Sequence, residues 1–175
     1  MADIATAVDA SKNRPSDARN REVVFPEGRD PQSSNLETPI NASPLTKWYI
    51  NALPAYRPGH TPFRRGLEVG MAHGYWLFGP FAKLGPLRDT ANANLAGLLA
   101  TLSFVVILTG TLSLYGNSNP PQPNVTVTTP NPPDAFSSKE GWNGYASAFL
   151  IGGVGGAVVA YFLTSNWGLI QNLFG

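Results

Sequence analysis

Two ionisable side chains, Glu68 and His73, stand inside a long, mainly apolar stretch, Gly66–Gly85, which reads GLEVGMAHGYWLFGPFAKLG. An ionisable group in such a setting is expensive to keep and marks a functional candidate. On a helix, five positions separate two side chains by about 140° around the axis and about 7.5 Å along it. Glu68 and His73 therefore point to different faces. They can neither share one metal ion nor work as a close acid–base pair. Two separate ligands, each reaching its own metal, suit the spacing, and a metal inside a planar macrocycle that needs one axial ligand suits it best. The structural alternative makes His73 a hydrogen-bonded histidine at a helix contact. It also pairs Glu68 at head-group level with Arg64 or Arg65, four and three residues away. A proton carrier at Glu68, as in a small transporter, is a further alternative and requires a water-filled cavity there.

The remaining candidates are weaker. His60 lies in a Pro/Gly-rich loop, RPGHTPF, and is expected at the surface. Gly152–Gly156 (GGVGG) is no phosphate cradle, because it sits in an apolar run with no lysine behind it. The turn Gly85–Asp89 (GPLRD) holds one carboxylate, too few to fill the six to eight oxygen positions of calcium without a neighbouring subunit. Asp89 capping the turn or pairing with Arg88 is the simpler expectation. The chain has no Cys, which excludes thiolate metal sites, disulfides and Cys nucleophiles. With two His in all and no nucleophile–base set, the chain is not read as an enzyme.

These residues must be positioned by helices in a membrane. Twelve Lys+Arg and eleven Asp+Glu give a net charge of +1 over 175 residues, so neither a nucleic-acid binder nor an acidic tail is indicated. Charged residues make up only 13% of the chain, about half the usual share. They are also unevenly placed: residues 1–65 hold nine of the basic and seven of the acidic side chains. Thr90–Pro133 and Gly141–Gly175 hold none. Asn94–Gly116 and Gly144–Asn166 are each long enough to cross a hydrocarbon core of about 30 Å. Gly66–Gly85, with Glu68, His73, Pro80 and Lys83, is expected as a third, protein-buried span; an interfacial segment is its alternative. The fold class is an all-α membrane protein, with three transmembrane helices and an extended, partly ordered arm over residues 1–65.

Within the arm, eight Pro leave room for one short helix near 44–53, with Ser43 as N-cap and Pro44 in the first turn. Trp48, Tyr49, Ile50, Leu53 and Tyr56 suggest that the arm lies on a larger partner. The first ten residues carry Asp3 and Asp9 and no apolar run, unlike a secretory signal. Asn117–Trp142, with six Pro, reads as an extended loop outside the bilayer. Lys47, Arg57, Arg64 and Arg65 precede the first span, so the positive-inside rule puts the N-terminus in the cytoplasm and the C-terminus across the membrane. Gly66, Gly70 and Gly74 form one small-residue ridge; Gly144, Ala148, Gly152, Gly156 and Ala160 form another. The second is expected to pack within the subunit.

The strings NALPAYRPG (51–59), RRGLEVGMAHGY (64–75), KLGPLRD (83–89) and SKEGW (138–142), with the Gly-rich last span, resemble the photosystem I reaction centre subunit XI family over residues 36–175. The longer arm (NREVVFPEGRDP) and the NPPDAF loop resemble versions from filamentous cyanobacteria. The resemblance implies a three-span thylakoid protein, N-terminus cytoplasmic and C-terminus lumenal. It implies partners in the photosystem I core and small membrane subunits, lipids and other copies of itself, so that it joins photosystem I monomers. It implies antenna chlorophyll a with Glu68 and His73 as axial magnesium ligands, contact with beta-carotene, and in some members calcium between subunits, falling here on the Pro86 carbonyl and Asp89. A membrane scaffold without pigment is the competing reading.

Overall fold

A computed structural model describes residues 24–174. The chain divides into two compact units, one made of the arm through Tyr56 together with Asn124–Pro132, the other of Arg57–Pro123 and Pro133 onward. The division thus falls nine residues before the expected boundary at residue 65, and part of the second loop belongs with the arm.

In the first unit, a short ladder pairs β1 (Phe25–Pro26) antiparallel with β2 (Leu36–Glu37). Helix α1 (Pro44–Ala52) starts at Ser43, whose hydroxyl accepts from the Thr46 N–H at 3.1 Å, with Pro44 in the first turn. Within this unit, polar side chains tie the described part of the arm to the second loop. The Glu27 carboxylate accepts from the Val127 N–H and from Asn35 Nδ2. Asn51 Nδ2 donates to the Thr128 carbonyl at 2.8 Å, and the Thr128 hydroxyl donates to the Asn41 carbonyl at 2.9 Å. Trp48 and Tyr49 stay exposed, at 68% and 56%.

The second unit contains α2 (Pro62–Leu84), α3 (Ala93–Asn117), α4 (Lys139–Ser165) and α5 (Trp167–Phe174). Helices α3 and α4 are long and apolar enough to cross a membrane; α2, at 23 residues, has the length. The apolar tail after Asn166 is helical. In α3 the hydroxyls of Thr101, Ser103, Thr109 and Thr111 each donate to the carbonyl four residues back, at 2.7–2.9 Å. Such self-satisfaction is what a helix needs where no water is at hand.

The two glycine ridges face one another. The Cα of Gly66 lies under the Tyr145 carbonyl, Gly70 under that of Phe149, and Gly74 under that of Gly153. Reciprocally, Gly152 meets the Leu67 carbonyl and Gly156 that of Met71. The partners rise together in number on both sides, so α2 and α4 run parallel, backbone against backbone. Ala148, Ala157 and Ala160 complete the buried seam. Helix α3 runs antiparallel to α4: Val105 fits against Gly153, Gly116 against Trp142, and Asn94 Nδ2 reaches Ser165 Oγ at 3.3 Å. Gly97 of α3 sits on Ala82 near the end of α2.

Candidate functional site

The site is built at the beginning of α2. Thr61 caps the helix, its hydroxyl accepting from the Arg64 N–H at 3.2 Å, and Pro62 opens the first turn. Before it, Gly59 takes a φ of 76°, which a residue with a Cβ adopts only under strain, and the chain folds back over the helix start.

Glu68 is thereby enclosed by basic side chains. Arg64 Nε donates to its Oε1 at 3.0 Å, as the four-residue spacing allows. Arg57 Nη1 donates to Oε2 at 3.4 Å, and His60 Nε2 lies 3.3 Å from Oε1. Arg65 turns inward and is 5% exposed. His60 is not the surface residue expected; its side chain is 9% exposed and packs against Glu68. Sequence spacing foresaw Arg64 but missed Arg57 and His60. The signal was the Pro-Gly pair at 58–59, which permits a reversal of direction. Two guanidinium groups compensate the one carboxylate, whose side chain is 23% exposed.

His73, five residues on, points elsewhere. Its Nδ1 lies 2.8 Å from the Val69 carbonyl. A carbonyl can only accept, so in the neutral ring the proton sits on Nδ1 and the lone pair on Nε2. The ring meets Phe149 edge to face, with centroids 5.3 Å apart, which fixes its plane. The residue is exposed on the outer face of the helix. An oriented imidazole with an open Nε2 is the donor that an axial metal position requires. Glu68 and His73 are not brought together.

The turn after α2 is different. Pro86 and Asp89 are exposed, and Asp89 Oδ2 lies 3.4 Å from Arg88 Nε. Among the described residues, no three His, Cys, Asp or Glu gather to hold a metal. One carboxylate already facing a guanidinium, with a nearby carbonyl, does not fit a hard cation that takes six to eight oxygens.

The fold is that of a helical subunit with two helices long and apolar enough to cross a membrane, and its site presents one carboxylate and one imidazole on different faces of α2. The model of the photosystem I reaction centre subunit XI family matches residues 23–169. The chain is 78% identical over 172 residues to the photosystem I reaction center subunit XI of Trichormus variabilis, covering 98% of this chain and 100% of that protein. It is 74% identical to that of Mastigocladus laminosus over 172 residues, covering 98% and 99%. It is 57% identical to that of Synechococcus elongatus over 145 residues, covering 82% and 87%. The chain belongs to the photosystem I reaction centre subunit XI family. It is thus a cyanobacterial photosystem I subunit.

Proposed function

We propose that this chain is a non-enzymatic, three-span subunit of photosystem I in the thylakoid membrane, which holds antenna chlorophyll a on His73 and Glu68 and joins photosystem I monomers through contacts with other copies of itself. The observation that carries the pigment reading is the His73 ring. Its Nδ1 is committed to the Val69 carbonyl at 2.8 Å, and its Nε2 lone pair is left for magnesium on an exposed helix face. When bound, chlorophyll supplies light absorption and transfer of excitation. The chain's own contribution is to hold the ligand rotamers, through Phe149 at His73 and through Arg57, Arg64 and His60 at Glu68. The exposed apolar faces of α3 and α4 suit beta-carotene and lipid.

The reading of α2 as a third span is supported by connectivity. Arm and second loop share hydrogen bonds, Asn51 to Thr128 among them, and so lie on one side of the membrane. If α3 crosses, the chain must cross once more between residues 56 and 93, and α2 is the helix in that interval. The parallel seam of Gly66, Gly70 and Gly74 against α4 gives α2 the close backbone packing that suits a helix in lipid. The basic residues before α2 put the arm in the cytoplasm and the C-terminus in the lumen. Calcium between copies, at the Pro86 carbonyl and Asp89, would need its remaining oxygens from a neighbouring subunit.

The test is His73→Leu, which keeps an apolar volume on the helix face and removes the nitrogen. The assembled complex should lose one chlorophyll per copy of this subunit, measured by pigment extraction and by density in the complex. Full pigment content with unchanged magnesium position refutes the ligand role and favours a scaffold without pigment.

A further inference from the structure

At the opposite end of α2 from Glu68, a groove of about 550 Å³ opens between α2, α4 and the start of α5. Its floor and walls are apolar: Phe78 and Ala160 are buried at its base, and Trp76, Pro80, Leu163 and Trp167 form its sides. One charged group lines it, Lys83. Lys83 is exposed and, among the described residues, makes no hydrogen bond or ion pair. The next carboxylate along the chain, Asp89, faces Arg88 instead. Lys83 therefore stands at the end of a membrane-length helix as a cation without a counter-charge among the described residues. Its four-carbon stem can lie along the groove while the ammonium reaches the head-group layer. Trp76 and Trp167, both mostly exposed, are of the type that sits at that layer.

We propose that this groove binds an anionic glycerophospholipid, with an acyl chain against Phe78, Pro80 and Leu163 and the phosphate on Lys83. The choice among hydrophobic occupants follows from chemistry. A carotene hydrocarbon offers the ammonium nothing. A chlorophyll magnesium needs a lone pair, which a charged lysine lacks, and no His, Asp or Glu lines the groove. A phosphate meets the compact, strongly hydrated charge of lysine and leaves the tails to cover the apolar wall. The proposal rests on α2 spanning the membrane, and is independent of whether His73 or Glu68 holds pigment.

Two variants in the whole photosystem I complex test it. Lys83→Gln removes the charge and keeps most of the stem. Gly79→Phe fills the groove; a Cβ at Gly79 meets nothing within 4 Å, so the helix seam is undisturbed. Lys83→Arg is the conservative control. Lipids retained after detergent purification are counted per complex by mass spectrometry, beside the pigments. Both test variants should lose one anionic phospholipid per copy of this subunit, with Lys83→Arg retaining it and chlorophyll and carotene numbers unchanged. An unchanged phospholipid count in both variants overturns the proposal, as does loss of a pigment, a neutral lipid or a sulfonate-headed lipid in its place. A wild-type complex that carries no anionic phospholipid missing from a complex without this subunit also overturns it. Failure of α2 to span would show separately, as labelling of the Gly85–Asp89 turn from the arm side of the membrane.

Discussion

Replacing Gly70 by Ala tests the seam that positions both candidate ligands. A Cβ at residue 70 would run into the Phe149 carbonyl oxygen and would lie 2.9 Å from Gly153 N and from the Phe149 carbonyl carbon. Ordinary contact begins near 3.4 Å, so α4 must retreat by at least about 0.5 Å along that line, and by more over the oxygen. The obstacle is backbone on both helices, which no rotamer change relieves. Overpacking of this kind costs about 1–3 kcal/mol. Close contact is also the main source of helix association in lipid, where hydrophobic burial gives no drive. The retreat carries Phe149 away from His73, whose ring it fixes. The assay is heat-driven release of the subunit from the complex, followed on native gels together with pigment content. Gly70→Ala should lower the release midpoint by several degrees and broaden or shift the chlorophyll absorption attributed to His73. Gly110→Ala is the control, since a Cβ there meets nothing within 4 Å, and should be neutral. Equal behaviour of the two variants would refute the seam as described.

Three further outcomes follow from the same geometry. Glu68→Gln keeps an oxygen and should retain its pigment more weakly, whereas Glu68→Leu should lose it; wild-type pigment content in both would reduce Glu68 to the partner of Arg57, Arg64 and His60. Ser43→Ala removes the hydroxyl that caps α1 and should destabilise that helix by about 0.5–2 kcal/mol, read as faster proteolysis of the arm in the isolated complex. Truncation after Asn166 removes α5, whose Trp167 and Leu169 are 57% and 65% exposed, and should shift photosystem I toward monomers on sucrose gradients while leaving photochemistry intact; an unchanged oligomer would move the contact to the spans or the arm.

Local features of the chain were enough for several conclusions. Charge-free windows of sufficient length mark α3 and α4, because the cost of a charge in hydrocarbon is paid residue by residue. Ser43 and Pro44 start α1 because capping involves only the first turn. The angle between Glu68 and His73 follows from helical periodicity alone, and both small-residue ridges are visible at four-residue spacing. What covers those features depends on residues far apart in sequence, and there the tertiary structure decided. The ridge of α2 and the ridge of α4 turn out to be two halves of one parallel seam, set by backbone shape, which no window of hydropathy records. Glu68 is closed by Arg57 and His60 as well as Arg64, because the Gly59 turn bends the chain back on the helix. The described part of the arm is hydrogen-bonded to Thr128 and Val127, some 70 to 100 residues away, partners that composition does not reveal. The setting of His73 is spatial in the same way: the Val69 carbonyl takes one ring nitrogen, the Phe149 ring of α4 meets the imidazole edge to face, and the residue stays exposed.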